Sequence, residues 1–155
     1  MIAPAILSAL HVLALALGLG AVFARGRRLR DLRRLPADAG ALGRLFQADG
    51  VWGAAALLWI ATGLLRAFAG LEKSPDFYLH NGFFWVKMAL FALVFALEML
   101  PMTTFVRWRA ARARGGAPAV NANLGLLITL NDVELAIVVA IPFVAALMAR
   151  GAWLF

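Results

Sequence analysis

The sequence predicts an all-α integral membrane protein, a single bundle of four transmembrane helices, and three observations carry that expectation. First, 64% of the residues are apolar and only 15% charged, against about 45–50% and about 25% in a soluble globular domain. A soluble fold of 155 residues has too little interior to hide so much apolar surface. Second, the apolar residues come in runs of about 20, the length a helix needs to cross about 30 Å of hydrocarbon. The alternating segments of a membrane β-barrel are absent. Third, the basic residues are segregated into particular loops. Together these exclude an ordinary soluble enzyme, a disordered chain and a coiled coil.

The first span covers residues 2–24, with His11 as its one ionisable residue. It is not read as a cleaved signal peptide, because it lacks a basic segment before it and its positive charges follow it. Residues 26–34 extend the same helix along or beyond the membrane surface, and Leu35-Pro36 ends it. The second span, residues 50–71, carries Arg66 near its end. The third, residues 83–106, carries Lys87 and Glu98. The fourth runs over residues 131–150. Two starts are open: Leu124 begins the apolar run, while Asn131-Asp132-Val133-Glu134 reads as an N-cap with an acid three positions on and is the favoured membrane entry. Residues 124–130 are then an interfacial turn of helix, and Pro142 is expected to kink the span.

Loop charge gives the orientation. Of the 15 basic residues, 11 lie in loops 25–48 and 107–130: Arg25, Arg27, Arg28, Arg30, Arg33, Arg34, Arg44, Arg107, Arg109, Arg112 and Arg114. The loop at 72–82 carries only Lys73. The positive-inside rule makes the two basic loops cytoplasmic and puts both termini outside, in a bacterial inner membrane. Trp85, Phe77, Tyr78 and Trp153 form the outer aromatic belt, and Trp108 the inner one. The arginines are a topology signal that also rests on anionic headgroups. A nucleic-acid role is set aside, because no aromatic is interleaved with the first loop's arginines and no glycine-rich phosphate cradle appears. With no cysteine in the chain, disulfides, thiolate metal sites and thiol catalysis are excluded.

Ionisable groups inside a bilayer are expensive, so each is a functional hypothesis. His11 lies nine residues into its span, about 13 Å deep. Ala14, Gly18 and Ala21 share its face. A histidine above small residues suits a flat macrocycle that needs one axial nitrogen and room for a ring; close helix packing asks for the same residues. Lys87 and Arg66 lie in the same half and have stems long enough to snorkel. With His11, and with His80 at its edge, they define an electropositive outer pocket suited to carboxylates. Glu98 is a buried acid in the other half, eleven residues from Lys87. Both face one side, about 16 Å apart. Asp49 and Glu134 are further acids toward the inner ends of spans two and four, where end-capping also accounts for them. That half contains acids without an intramembrane cation, unless Arg44 or Arg107 reaches in.

The segments LHVLALALG, FQADGVWGAAALLWIATGLLRAF, GLEKSPDFYLHNGFFWVKM and IPFVAALMARG resemble the bacterial membrane family called domain of unknown function 2214, over nearly the whole chain. That resemblance implies four helices and no assigned activity. A more distant likeness is to the four-helix membrane protoporphyrinogen oxidases and the related copper-resistance membrane domains. They carry a histidine early in the first helix and a lysine early in the third, matched here by His11 in LHVLA and Lys87 in WVKMA. The likeness implies haem b or another tetrapyrrole as ligand, with His11 as the axial, metal-binding residue and Lys87 or Arg66 meeting the propionates. Electron transfer to quinone comes with it. Met99 and Met102 at i, i+3 are soft ligands, but methionine in such a helix ordinarily packs. The rival reading is a non-catalytic membrane subunit, homo-oligomeric or accessory, whose polar residues only hold helices together. Whether the chain is an enzyme is left open by the residues.

Overall fold

The computed structural model describes residues 2–34, 39–70, 73–116, 118–120 and 123–153. Five helices occur among them: α1 (Ile2–Arg34), α2 (Ala39–Phe68), α3 (Pro75–Leu79), α4 (Gly82–Ala113) and α5 (Leu124–Ala149). All but the short α3 are long and apolar enough to cross a membrane, so the protein is an all-α membrane bundle. The expected stop at Leu35-Pro36, and the end of the second span at Leu71, lie outside the described residues.

Cross-helix contacts set the register. His11 meets Thr62, Gly18 meets Trp52 and Arg25 meets Asp49, so α1 and α2 run antiparallel. In the same way Gly82 meets Trp153 while Phe105 packs in the cluster of Leu124 and Leu127, which makes α4 and α5 antiparallel. Arg25 and Arg30 of α1 meet Glu134 and Asp132 of α5. The chain thus goes up, down, up, down, with α2 packed on α1, α1 on α5 and α5 on α4.

Three apolar clusters stack along the bundle. The one nearest the two basic connections holds Leu29, Leu45, Phe105, Trp108 and Leu127. The middle one holds Ala14, Val22, Trp52, Trp59, Val94 and Val138. The cluster nearest the termini holds Ala67, Tyr78, Phe84 and Met148. Large apolar side chains outside these clusters, such as Leu57, Phe95 and Phe143, are about two-thirds exposed (71%, 65% and 69%). On a water-soluble protein such a belt would be a liability; on four spans it is the lipid face.

Several expectations need correction. The track of Ala14, Gly18 and Ala21 makes no room for a ring. A Cβ on Gly18 would sit 3.0 Å from Trp52, so the small residues let α1 and α2 approach, and Ala14 and Ala21 are core. Trp108 packs against Phe105 in the core, whereas Trp85 and Trp153 are exposed. Helix α5 begins at Leu124 with Asn123 in the cap position, and Asn131 is a buried residue well inside it. The capping pattern at 131–134 failed because its polar groups are satisfied by other helices, not by a helix end. Pro142 sits within continuous α5, and Pro101 is buried within continuous α4.

Candidate functional site

The membrane-embedded polar residues fall into two groups at opposite ends of the bundle. At the end carrying the termini, His11 of α1 faces α2. Its Nδ1 lies 2.8 Å from Thr62 Oγ1. The Thr62 hydroxyl has one proton, and its oxygen lies 2.7 Å from the Leu58 carbonyl and 3.1 Å from that of Trp59. When the hydroxyl donates to the carbonyl one turn back, its oxygen accepts from an imidazole protonated on Nδ1; when it turns to His11, Nδ1 is the acceptor. In the first tautomer of the neutral ring the lone pair belongs to Nε2, the arrangement in which a hydroxyl or carbonyl orients a ligating histidine. Trp59 stands 5.9 Å from His11 and 4.7 Å from Phe91, centroid to centroid. Gly63 completes the wall: a Cβ there would approach His11 Cε1 to 3.2 Å.

His11 lines a cavity of about 330 Å³ together with Arg66, Lys73, Lys87, Trp59, Phe77, Tyr78 and Phe91. Its charged residues are all cations, and no Asp or Glu lines it. A second cavity of about 290 Å³ adjoins it in the crevice between α2 and α4, and His11, Lys87, Trp59 and Phe91 line both. Its other walls are apolar, including Ile60, Leu64, Met88 and Phe95. His80 takes no part in either lining. It is exposed at the end of α3, with Nδ1 2.9 Å from the Asp76 carbonyl. Lys73, which the sequence reading used only as a loop charge, joins the cavity wall, donates to the Ala149 carbonyl at 2.9 Å and lies over the Phe77 ring.

At the other end the acids have a cation, and it is one that the sequence reading assigned to a cytoplasmic loop. Arg25 is fully buried. Its Nε donates to Asn131 Oδ1 at 2.9 Å. Its Nη1 donates to Glu98 Oε1 at 2.7 Å and reaches Asp49 Oδ1 at 3.3 Å. Its Nη2 donates to Glu134 Oε2. One guanidinium therefore joins α1, α2, α4 and α5. Asn131 Nδ2 donates in turn to the Val22 carbonyl at 3.3 Å. Arg109 of α4 closes the edge, donating to Asp49 Oδ2 at 2.8 Å. Gly26 permits the crossing, since a Cβ there would lie 2.5 Å from Asn131 Nδ2.

The signal for Arg25 was present in the sequence. Ala14, Gly18, Ala21, Val22, Arg25, Leu29 and Leu32 form one buried stripe with helical spacing, and Arg25 is the stripe's only charged member. A charge count over the loop conceals this; the periodicity of the helix reveals it. The cation that meets both Glu98 and Glu134 is Arg25.

Among the described residues, no group of three or more His, Cys, Asp or Glu is placed to hold a metal ion. The profile of the family described as "Predicted membrane protein (DUF2214)" matches residues 3–152, nearly the full length. No curated protein and no solved structure matches the chain. The chain belongs to that membrane-protein family.

Proposed function

We propose that this member of the predicted membrane protein family binds an amphiphilic anion of the tetrapyrrole class, haem b in its metal-bearing form, in the paired cavities at the His11 end. The observation that carries the reading is the junction of those cavities. One is lined by cations without acids, the other is almost wholly apolar, and His11 and Lys87 stand where they meet. A ligand that fits both has carboxylates at one edge and a broad apolar body. Trp59 and Phe91 offer aromatic faces to that body, and Lys87 and Arg66 offer charge to its carboxylates.

The residues fit a haem in one specific respect. The macrocycle holds the iron itself, so the protein need supply only an axial ligand, and His11 protonated on Nδ1 toward Thr62 would present its lone pair on Nε2. Bound haem would supply one-electron chemistry, with quinone as the membrane-soluble partner. What this chain's residues do is orient the imidazole, neutralise propionates and exclude water. The protein is proposed to sit in a bacterial inner membrane with both termini outside. Its connections between α1 and α2 and between α4 and α5 are proposed to be cytoplasmic, and removing Arg25 from the loop count leaves the basic asymmetry intact.

The test is spectroscopic. Protein purified in detergent from haem-replete cells is expected to show a Soret band, absent in His11→Ala and weakened in Lys87→Met. Metal-free protoporphyrin added to the apoprotein should be retained by wild type and by His11→Ala, but less by Lys87→Met. Wild type with neither a Soret band nor protoporphyrin binding overturns the reading, and His11 then serves only to pack α1 on α2 through Thr62.

A further inference from the structure

The second polar group suggests an activity that the cavity does not need. Glu98 and Glu134 approach Arg25 from two helices and bind its two terminal nitrogens, Nη1 and Nη2. Their carboxyl groups therefore sit side by side on one guanidinium. Arg25 contacts one oxygen of each. The remaining two, Glu98 Oε2 and Glu134 Oε1, are buried and have no donor among the described residues. Two ionised carboxylates can only accept, so neither of these buried oxygens gains a donor from the neighbouring acid unless the pair carries a proton.

The charges around this pair point the same way. From α1 the facing group is Arg25; from α2 it is Asp49; from α4 it is Glu98 itself, with Arg109 behind Asp49; from α5 it is Glu134, beside the neutral Asn131. Three carboxylates stand against two guanidiniums. Asp49 is shared between Arg25 and the half-exposed Arg109, which leaves Glu98 and Glu134 to divide the single buried cation. An excess charge at that depth is expensive, and one proton removes it.

We propose that Glu98 and Glu134 together form a membrane-embedded proton-binding site, in which the pair shares one exchangeable proton on the carboxyl oxygens that Arg25 leaves uncontacted. Glu134 is the enclosed member, and Glu98, with 19% of its side chain exposed, is the member through which the proton exchanges. The site does not depend on any ligand at the His11 end.

The experiment is infrared spectroscopy of the full chain reconstituted in lipid, in H2O and in D2O, at a pH near 7. Exposed carboxyls are ionised there, so a carboxylic-acid carbonyl band reports a buried proton. Wild type is expected to show one such band, shifted to lower frequency in D2O. Glu98→Gln and Glu134→Gln should each abolish it, because the amide donates to the surviving carboxylate. Asp49→Asn should keep it, because the charge shared with Arg109 is not the one that demands the proton. Wild type without the band overturns the proposal and needs no variant to fold. A band that survives both glutamine substitutions, or that Asp49→Asn alone removes, also overturns it. So does a band that appears only when sodium and potassium are withdrawn, which would make the site one for a metal cation.

Discussion

The two ends of the bundle handle buried charge in opposite ways. At the His11 end, Arg66, Lys73 and Lys87 border open space with no acid in its lining. At the Arg25 end, three carboxylates and an asparagine close on one guanidinium. The first arrangement is a basic lining without acids, suited to an anion. The second answers its acids from within the protein, and Arg25 is tied to all three neighbouring spans. The difference shows that a polar residue in a membrane helix is not by itself a site. Whether its partners arrive from other helices or from outside the protein decides that.

Arg25→Met tests the contrast most severely. It leaves Glu98 and Glu134 buried without their cation, and breaking a buried pair from one side costs about 3–5 kcal/mol. Thermal unfolding in detergent should show a large loss, whereas Lys87→Met at the open end should leave the unfolding temperature close to wild type. Equal losses from the two substitutions would erase the distinction between a structural and a binding end.

Gly18→Leu comes next. The α1–α2 contact is so close that a Cβ already touches Trp52, and overpacking of this kind costs about 1–3 kcal/mol. Gly20→Leu, on the same helix but with open space at its Cβ, should be tolerated, and unfolding curves of the pair measure the difference. Asn131→Ala removes the acceptor of Arg25 Nε and the donor to Val22 O. The expected cost is about 1–3 kcal/mol for groups left unsatisfied in the interior, read in the same assay.

Thr62→Val sharpens the account of the open end. It removes the hydroxyl paired with His11 Nδ1, so any ligand bound through Nε2 should be held more weakly while the bundle stays folded. Titration of haem into wild type and variant compares the two affinities. The smallest effect belongs to Arg30 and Asp132. They are paired at 2.6 Å but both nearly half exposed, and such a pair contributes about 0–1 kcal/mol. Asp132→Asn should therefore scarcely move the unfolding temperature, even though it lies one turn from Glu134's network.

Much of the architecture could be read along the chain. The lengths of the apolar runs define four spans because bilayer thickness is a one-dimensional constraint on a helix, and composition alone rules out a soluble core. The depths of His11, Lys87, Glu98 and Glu134 follow from counting residues. The same counting could not assign partners. The capping reading at Asn131 failed because Asn131 bonds across to Arg25, and the loop reading of Arg25 failed because Arg25 falls on the buried stripe of α1. Small residues at 14, 18 and 21 fit a ring pocket and a helix contact equally well until Trp52 of α2 is placed against them. The sequence by itself determined how many helices cross, which residues lie deep and where positive charge collects, since these depend on local spacing and transfer free energy. Only the tertiary structure decided that Arg25 turns inward to three acids while Lys87 and Arg66 face a cavity. A charge in a low-dielectric interior is stabilised by whatever lies within a few ångströms, and those neighbours come from helices distant in the chain.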